Sequence, residues 1–160
     1  MTFKLSKIFD YIGYYAPGTL GLVTLFFTLD QKMPTIVFVV GSVCNLLLNT
    51  GLKMYFQQPR PTLIQHSFAL DFSDVHKSCC RLGPHEYGMP SGHAQIVWFN
   101  TVFIALALKN KYITLIYAAI SICTMIQRVQ YNNHTLSQVL AGMVVGTIFA
   151  YVLYKEILII

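Results

Sequence analysis

Gaps between charged residues divide this chain more sharply than any short period does. No Asp, Glu, Lys or Arg occurs from Tyr11 to Leu29, Met33 to Leu52, Tyr87 to Leu108, Tyr112 to Gln127, or Val129 to Tyr154. A helix that crosses a bilayer needs roughly 20 predominantly apolar residues. The third and fifth gaps open on polar stretches, Tyr87–Gly92 and Val129–Ser137, which are left out of the helices. Five helices are therefore predicted, over 11–29, 34–55, 93–108, 112–127 and 138–156. Residues 30–33, 109–111 and 128–137 read as short turns, and 56–92 as the one long loop, a length usually functional or disordered. Within it, Thr62–Phe72 reads as a short amphipathic helix lying on the bilayer.

Composition agrees with a membrane chain. Charged residues make up 11% and apolar residues 55% of 160 positions, against about 25% charged in a soluble domain. A soluble chain this short lacks the polar side chains to cover its surface, so the surplus apolar surface faces lipid. The fold class expected is all-α: one domain over 1–160, an integral membrane bundle of about five spans. The first apolar run continues without a small-residue cleavage site and reads as a retained span. The net charge of +5 is not gathered into a basic stripe, which excludes a nucleic-acid partner. Cys44 and Cys123 lie in apolar runs while Cys79 and Cys80 are adjacent, so no disulfide framework is expected.

With five spans, the end of helix 2, the start of helix 3, the end of helix 4 and the start of helix 5 share one membrane face, where three polar clusters fall. The first holds Lys53 and, between two prolines, Arg60, as helix 2 stops. Such a pair can fold over a phosphate or simply snorkel to the headgroups. The second, Tyr87-Gly-Met-Pro90-Ser91-Gly92-His93-Ala-Gln95, opens helix 3. Helix N-termini leave N–H groups facing an anion, and Ser91 suits both an N-cap and a phosphate donor. Read alone, Pro-Ser-Gly is equally an ordinary helix start and His93 an interfacial histidine. The third runs from Gln127 and Arg128 through His134 to Gln138. His134 and Gln138 are four apart and share a helix face, so the Gln carbonyl can accept from one imidazole nitrogen. A capped helix start with a satisfied histidine fits the same residues.

Together the clusters form a dianion receptor of Lys53, Arg60, Arg128 and helix N–H groups, flanked by two histidines. Asp71, Asp74 and Glu86 are scattered, and His66, His76 and His85 lack regular spacing, so no metal or other cofactor is expected. Phosphoryl transfer through histidine, with cations on the equatorial oxygens, is the economical chemistry.

At these residues the chain resembles the PAP2 (phosphatidic acid phosphatase type 2) superfamily, whose motifs are Lys-x6-Arg-Pro, Pro-Ser-Gly-His and Ser-Arg-x5-His-x3-Asp. Lys53, Arg60 and Pro61 fit the first, Pro90 to His93 the second, and Arg128 and His134 the third. Gln127 stands where the family has Ser, and Gln138 where it has Asp. The stretches Tyr87–Phe99 and His134–Val139 look most like the dolichyl-diphosphatase branch, which usually has Ser at the position of Gly92 and in which Gln replaces the Asp. The resemblance implies that His134 is the nucleophile, forming a phosphohistidine. His93 would be the acid and then the base, and Gln138 the residue orienting His134. Lys53, Arg60, Ser91, Gly92 and Arg128 would hold the phosphoryl oxygens. It further implies a polyprenyl diphosphate substrate, dolichyl diphosphate first, in the endoplasmic reticulum membrane with a lumenal site. Alternatives are a phosphatase of phosphatidate or another lipid monophosphate and a non-catalytic lipid-phosphate binder. A channel or transporter is disfavoured because the helix midplanes carry no charge. Gly142-x3-Gly146 is read as a packing motif, and the Asn133-His-Thr135 sequon as unoccupied. Lys32, Lys109, Lys111 and Lys155 on the far face give a slight positive-inside bias that puts the far face in the cytoplasm. The partners are then the bilayer and the lipid substrate, with oligomeric state undetermined.

Overall fold

The computed structural model describes residues 2–62 and 86–158, with side chains for 8–62 and 86–157. Five helices follow in order: α1 (Thr2–Thr28), α2 (Lys32–Phe56), α3 (Gly92–Leu108), α4 (Lys111–Gln130) and α5 (Leu136–Leu158). The predicted helices all exist. Two extend well past the expected ends, because charge gaps locate lipid-facing lengths and not hydrogen-bonded ones. Thus α1 starts nine residues earlier, carrying Asp10 inside the helix, and α4 runs through Arg128 to Gln130. The amphipathic helix expected over Thr62–Phe72 falls on residues outside those described, as do His66, Asp71, Asp74, His76, Cys79, Cys80 and His85.

Three helices, α2, α4 and α5 to Ile157, are long and apolar enough to cross a membrane. α3, with 17 residues, is shorter and lies at the centre. Its Ala94, Val97, Phe99, Phe103 and Ile104 are buried; Phe99 stacks on Phe38 of α2, and the Phe103 ring meets Phe38 at a tilt. Exposed Leu, Ile, Val and Phe residues cover the outside of α1, α2, α4 and α5. That inversion suits a bundle solvated by lipid.

α5 lies against α3 so closely that only glycine fits two positions. A Cβ on Gly142 would stand 2.4 Å from the Ser91 carbonyl oxygen, and one on Gly146 2.1 Å from that of Gln95. The Gly-x3-Gly stripe is thus a packing device within the chain, and it presses α5 onto the start of α3, where the second polar cluster lies.

Candidate active site

α2 ends at Phe56 with Gln57 in the left-handed conformation (φ 46°), its N–H donating to the Lys53 carbonyl. The chain then runs extended. Pro59 pairs with Tyr87 in an antiparallel bridge, and the Gly88 N–H donates to the Gln58 carbonyl at 2.7 Å. This pairing ties the two ends of the long loop together and sets Arg60 beside the approach to α3.

A buried amide ladder locks that approach to α2. Asn49 Nδ2 donates to the Pro90 carbonyl (3.2 Å) and to Gln95 Oε1 (2.8 Å). Gln95 Nε2 in turn donates to the backbone (2.9 Å) and side-chain (2.8 Å) oxygens of Asn45. Buried polar groups are costly unless paired, and a fully paired set fixes geometry. Ser91 is the N-cap residue as expected, but its side chain makes no cap bond; the hydroxyl is buried and has no hydrogen-bond partner among the described residues. The Ser91 N–H is taken by the Gln138 carbonyl at 3.0 Å.

At the other side of the site, the chain reverses after α4 through Asn132 (φ 53°). The N–H groups of Asn133 and His134 both donate to the Arg128 carbonyl, at 3.0 and 3.3 Å. The turn therefore wraps His134 around the end of α4.

The surroundings of His134 settle its tautomer. Nδ1 is 2.9 Å from the Gly88 carbonyl oxygen and 3.3 Å from Gln138 Oε1, both of which only accept. Nε2 is 3.1 Å from Arg60 Nη1, which only donates. The neutral ring that satisfies these three contacts carries its proton on Nδ1 and its lone pair on Nε2. Sequence reasoning gave the orienting role to Gln138, whereas Gly88, through its backbone, is the nearer acceptor. Gln138 stands at the same nitrogen and is also a hub. Its Oε1 accepts from the Thr135 N–H (3.2 Å), and its Nε2 donates to Gln58 Oε1 (3.1 Å) and the Pro59 carbonyl (2.9 Å). A Cβ on Gly88 would meet this amide at 2.3 Å.

Lys53 and Arg60 are each 6% exposed, and Arg128 is 0% exposed. Burying a cation costs solvation, and Arg60, 3.1 Å from His134 Nε2, sets positive charge directly at the ring. His93 is half-buried in the first turn of α3, its ring centroid 6.5 Å from that of Tyr14. Gly92 stands beside it, with room for a Cβ only 3.2 Å from Asn49 Oδ1. Among the described residues no three His, Cys, Asp or Glu side chains gather at one point.

α1 carries no motif residue, yet it lines the site. Gln127 Nε2 donates to the Asp10 carbonyl (3.4 Å), and a Cβ on Gly13 would lie 2.6 Å from Gln127 Cβ. The missing side chain at Gly13 makes room for Gln where the family has Ser. Burial, together with a hydrogen bond to the Asp10 carboxylate, pushes the Tyr131 hydroxyl above its ordinary range. Beneath the site an apolar groove of about 480 Å³ runs between α3, α4 and α5, lined by Trp98, Met125, Val129, Leu136 and Met143 among others. Val129 follows Arg128 and Leu136 lies two residues past His134, so the groove and the polar cluster are built from the same two helix ends.

The model of the PAP2 superfamily matches residues 21–157. The chain is 27% identical to the dolichyldiphosphatase of Saccharomyces cerevisiae over 154 residues, covering 90% of this chain and 60% of that one. It is 28% identical to human dolichyldiphosphatase 1, with coverage of 92% and 59%. Identity to the lipid A 4'-phosphatase of Porphyromonas gingivalis is 26%, with coverage of 83% and 58%. The chain thus spans about three fifths of the length of these curated relatives. The crystal structure of a transmembrane PAP2-type phosphatidylglycerolphosphate phosphatase from Bacillus subtilis superposes with a TM-score of 0.63. It shares 18% identity, with 96% of this chain and 75% of that one covered.

Proposed function

The chain belongs to the PAP2 superfamily, and from that premise we propose that it hydrolyses a lipid phosphate through a phosphohistidine on His134. One observation carries the reading: His134 is held by Gly88 at Nδ1 (2.9 Å), its Nε2 lone pair faces Arg60 Nη1 (3.1 Å), and Lys53, Arg60 and Arg128 are all buried. In this mechanism Nε2 forms a bond to phosphorus while the bond to the leaving oxygen breaks. His93 gives its proton to that oxygen, then takes one from the water that cleaves the N–P bond. Lys53, Arg60, Arg128, the Ser91 hydroxyl and the N–H groups that begin with Gly92 stabilise the equatorial oxygens, with no metal invoked. Gln138 keeps the segment bearing Pro59 against the start of α5, and so holds Arg60 near His134.

The first choice of substrate is a polyprenyl diphosphate, dolichyl diphosphate being cleaved to dolichyl phosphate and phosphate. The dolichyldiphosphatase relatives support it, and the apolar groove built from the same ends of α4 and α5 suits a long hydrocarbon tail. A lipid monophosphate is the second reading, favoured by the lipid A 4'-phosphatase relative. A phosphate-release panel in detergent discriminates them, using dolichyl diphosphate, farnesyl diphosphate, phosphatidate and glucose 6-phosphate. Fastest release from dolichyl diphosphate is expected. Fastest release from phosphatidate transfers the reading to monophosphates, and no release from any of the four overturns it.

The location that follows is the endoplasmic reticulum membrane with the site in the lumen, since the basic residues at the far ends of the helices favour the cytoplasm. Protease added outside sealed microsomes should remove a tag placed after α5. Protection of that tag reverses the orientation.

A further inference from the structure

α1 contains none of the motifs that carry the chemistry, yet one of its side chains stands between two of their residues. The Tyr14 ring centroid is 5.8 Å from Arg128 Cζ and 6.5 Å from the His93 ring, which is tilted by 38° to it. Arg128 comes from the last turn of α4 and His93 from the first turn of α3, and Tyr14 reaches both across the bundle. The helix that presents it is fixed there from two sides. Gln127 Nε2 holds the Asp10 carbonyl, and the missing side chain of Gly13 lets α1 approach α4 at Gln127. Asp10 also takes the Tyr131 hydroxyl, just past the end of α4.

We propose that Tyr14 is a positioning residue, whose aromatic face sets the buried Arg128 guanidinium and backs His93, so that the phosphate cradle is complete only with α1 in place. The proposal rests on the reading of Arg128 as a phosphate-binding residue. The physical basis is the ring quadrupole, which attracts a cation lying over its face and does so more strongly where water is excluded. A guanidinium is planar, and an aromatic face limits the planes it can adopt. Arg128 is 0% exposed, so bulk water is kept from the contact. The phenolic hydroxyl is not needed for this role, whereas the π face is. Phenylalanine therefore retains the function and an aliphatic residue loses it; because leucine and methionine are also smaller, the deciding quantity is vanadate affinity, read apart from the loss of thermal stability that lost volume alone gives.

The test compares Tyr14→Phe, Tyr14→Leu and Tyr14→Met with the wild type in detergent, the methionine variant standing in if the leucine variant does not fold. Two quantities are read: kcat/KM for phosphate release, and the concentration of orthovanadate, a phosphate mimic, needed to protect the protein against thermal unfolding. Tyr14→Phe is expected within about twofold of wild type in both. The aliphatic variants are expected to lose roughly tenfold in kcat/KM and to need roughly tenfold more vanadate, a loss within the range of a desolvated cation–π contact. Aliphatic variants that match wild type in vanadate protection overturn the proposal, as does a Tyr14→Phe loss equal to theirs. Wild-type protein that is protected by vanadate but releases no phosphate removes the catalytic reading, and the vanadate comparison still decides the role of Tyr14. Wild-type protein that is not protected at all overturns the proposal together with the anion site.

Discussion

His134 Nδ1 lies 2.9 Å from the carbonyl oxygen of Gly88, nearer than the 3.3 Å to Gln138 Oε1. The order of those distances changes what each residue is for. A backbone carbonyl cannot be deleted by mutating its side chain, but its position can be disturbed. In Gly88→Ala the new methyl would meet the Gln138 amide at 2.3 Å, pushing the carbonyl off Nδ1. We expect this variant and Gln138→Ala each to lose activity by about 10–100-fold, the range seen when partners that orient a reactive ligand are removed. Removing the amide also removes the clash, so Gly88→Ala/Gln138→Ala should be no worse than either single change. Steady-state kinetics of the three variants checks this; losses that multiply would show that the two positions act independently.

The glycine stripe of α5 gives a second expectation, on stability. A methyl on Gly146 would stand 2.1 Å from the Gln95 carbonyl oxygen and 2.9 Å from the carbon behind it. Backbone cannot swing aside as a side chain does, so α5 must separate from α3. Gly146→Ala should destabilise by roughly 1–3 kcal/mol, as overpacking does. Gly51, in α2, has no atom within 4 Å of its notional Cβ, and Gly51→Ala should be neutral or raise stability by up to about 1 kcal/mol. Thermal unfolding in detergent ranks the pair. The opposite ranking would contradict the close approach of α5 to α3.

Tyr131 offers a pH test. Burial and the Asp10 carboxylate raise its hydroxyl above the ordinary value of 10.0. A raised pKa means that the fold favours the protonated phenol. The stabilisation is complete below pH ~10, where the unfolded tyrosine is still protonated, and it is lost as pH rises through the raised value. Tyr131→Phe should be less stable than wild type at pH 8, and the gap should close at strongly alkaline pH. Unfolding midpoints for both proteins from pH 8 to well above 10 give the comparison. Parallel curves would mean that Asp10 and Tyr131 do not interact.

Much of this site was legible in the sequence, because its chemistry is written in residue types at fixed spacing. Lys53, Arg60, Ser91, His93, Arg128, His134 and Gln138 carry side chains whose charge or donors interrupt apolar runs, and Gly92 sits between two of them. The fold meets them at the ends of α2, α3, α4 and α5. What stayed hidden has no such signature. Gly88 acts through a carbonyl that every residue owns. Asn45 and Asn49 look like chance polar residues in an apolar helix until Gln95 is seen bridging them. Gly13 matters only because Gln127 stands opposite. Tyr14 sits in a run of aromatics that charge gaps describe only as lipid-facing, and its neighbours Tyr11 and Tyr15 are indeed exposed. The start of α1 was missed for the same reason: Asp10 closed the charge gap although it lies inside the helix.

The central claim is that phosphorus becomes bonded to His134 while His93 manages protons. A radiolabelled phosphoester with an activated leaving group separates the two roles, since its departure needs no acid. His134→Ala lacks the bonding nitrogen and should take up no label. His93→Ala keeps the nucleophile but lacks the base for water, so it should accumulate label that is acid-labile and base-stable. The decisive measurement is covalent label on the two variants after brief mixing and a basic quench. The account predicts label on His93→Ala and none on His134→Ala; label on His134→Ala with none on His93→Ala would contradict it.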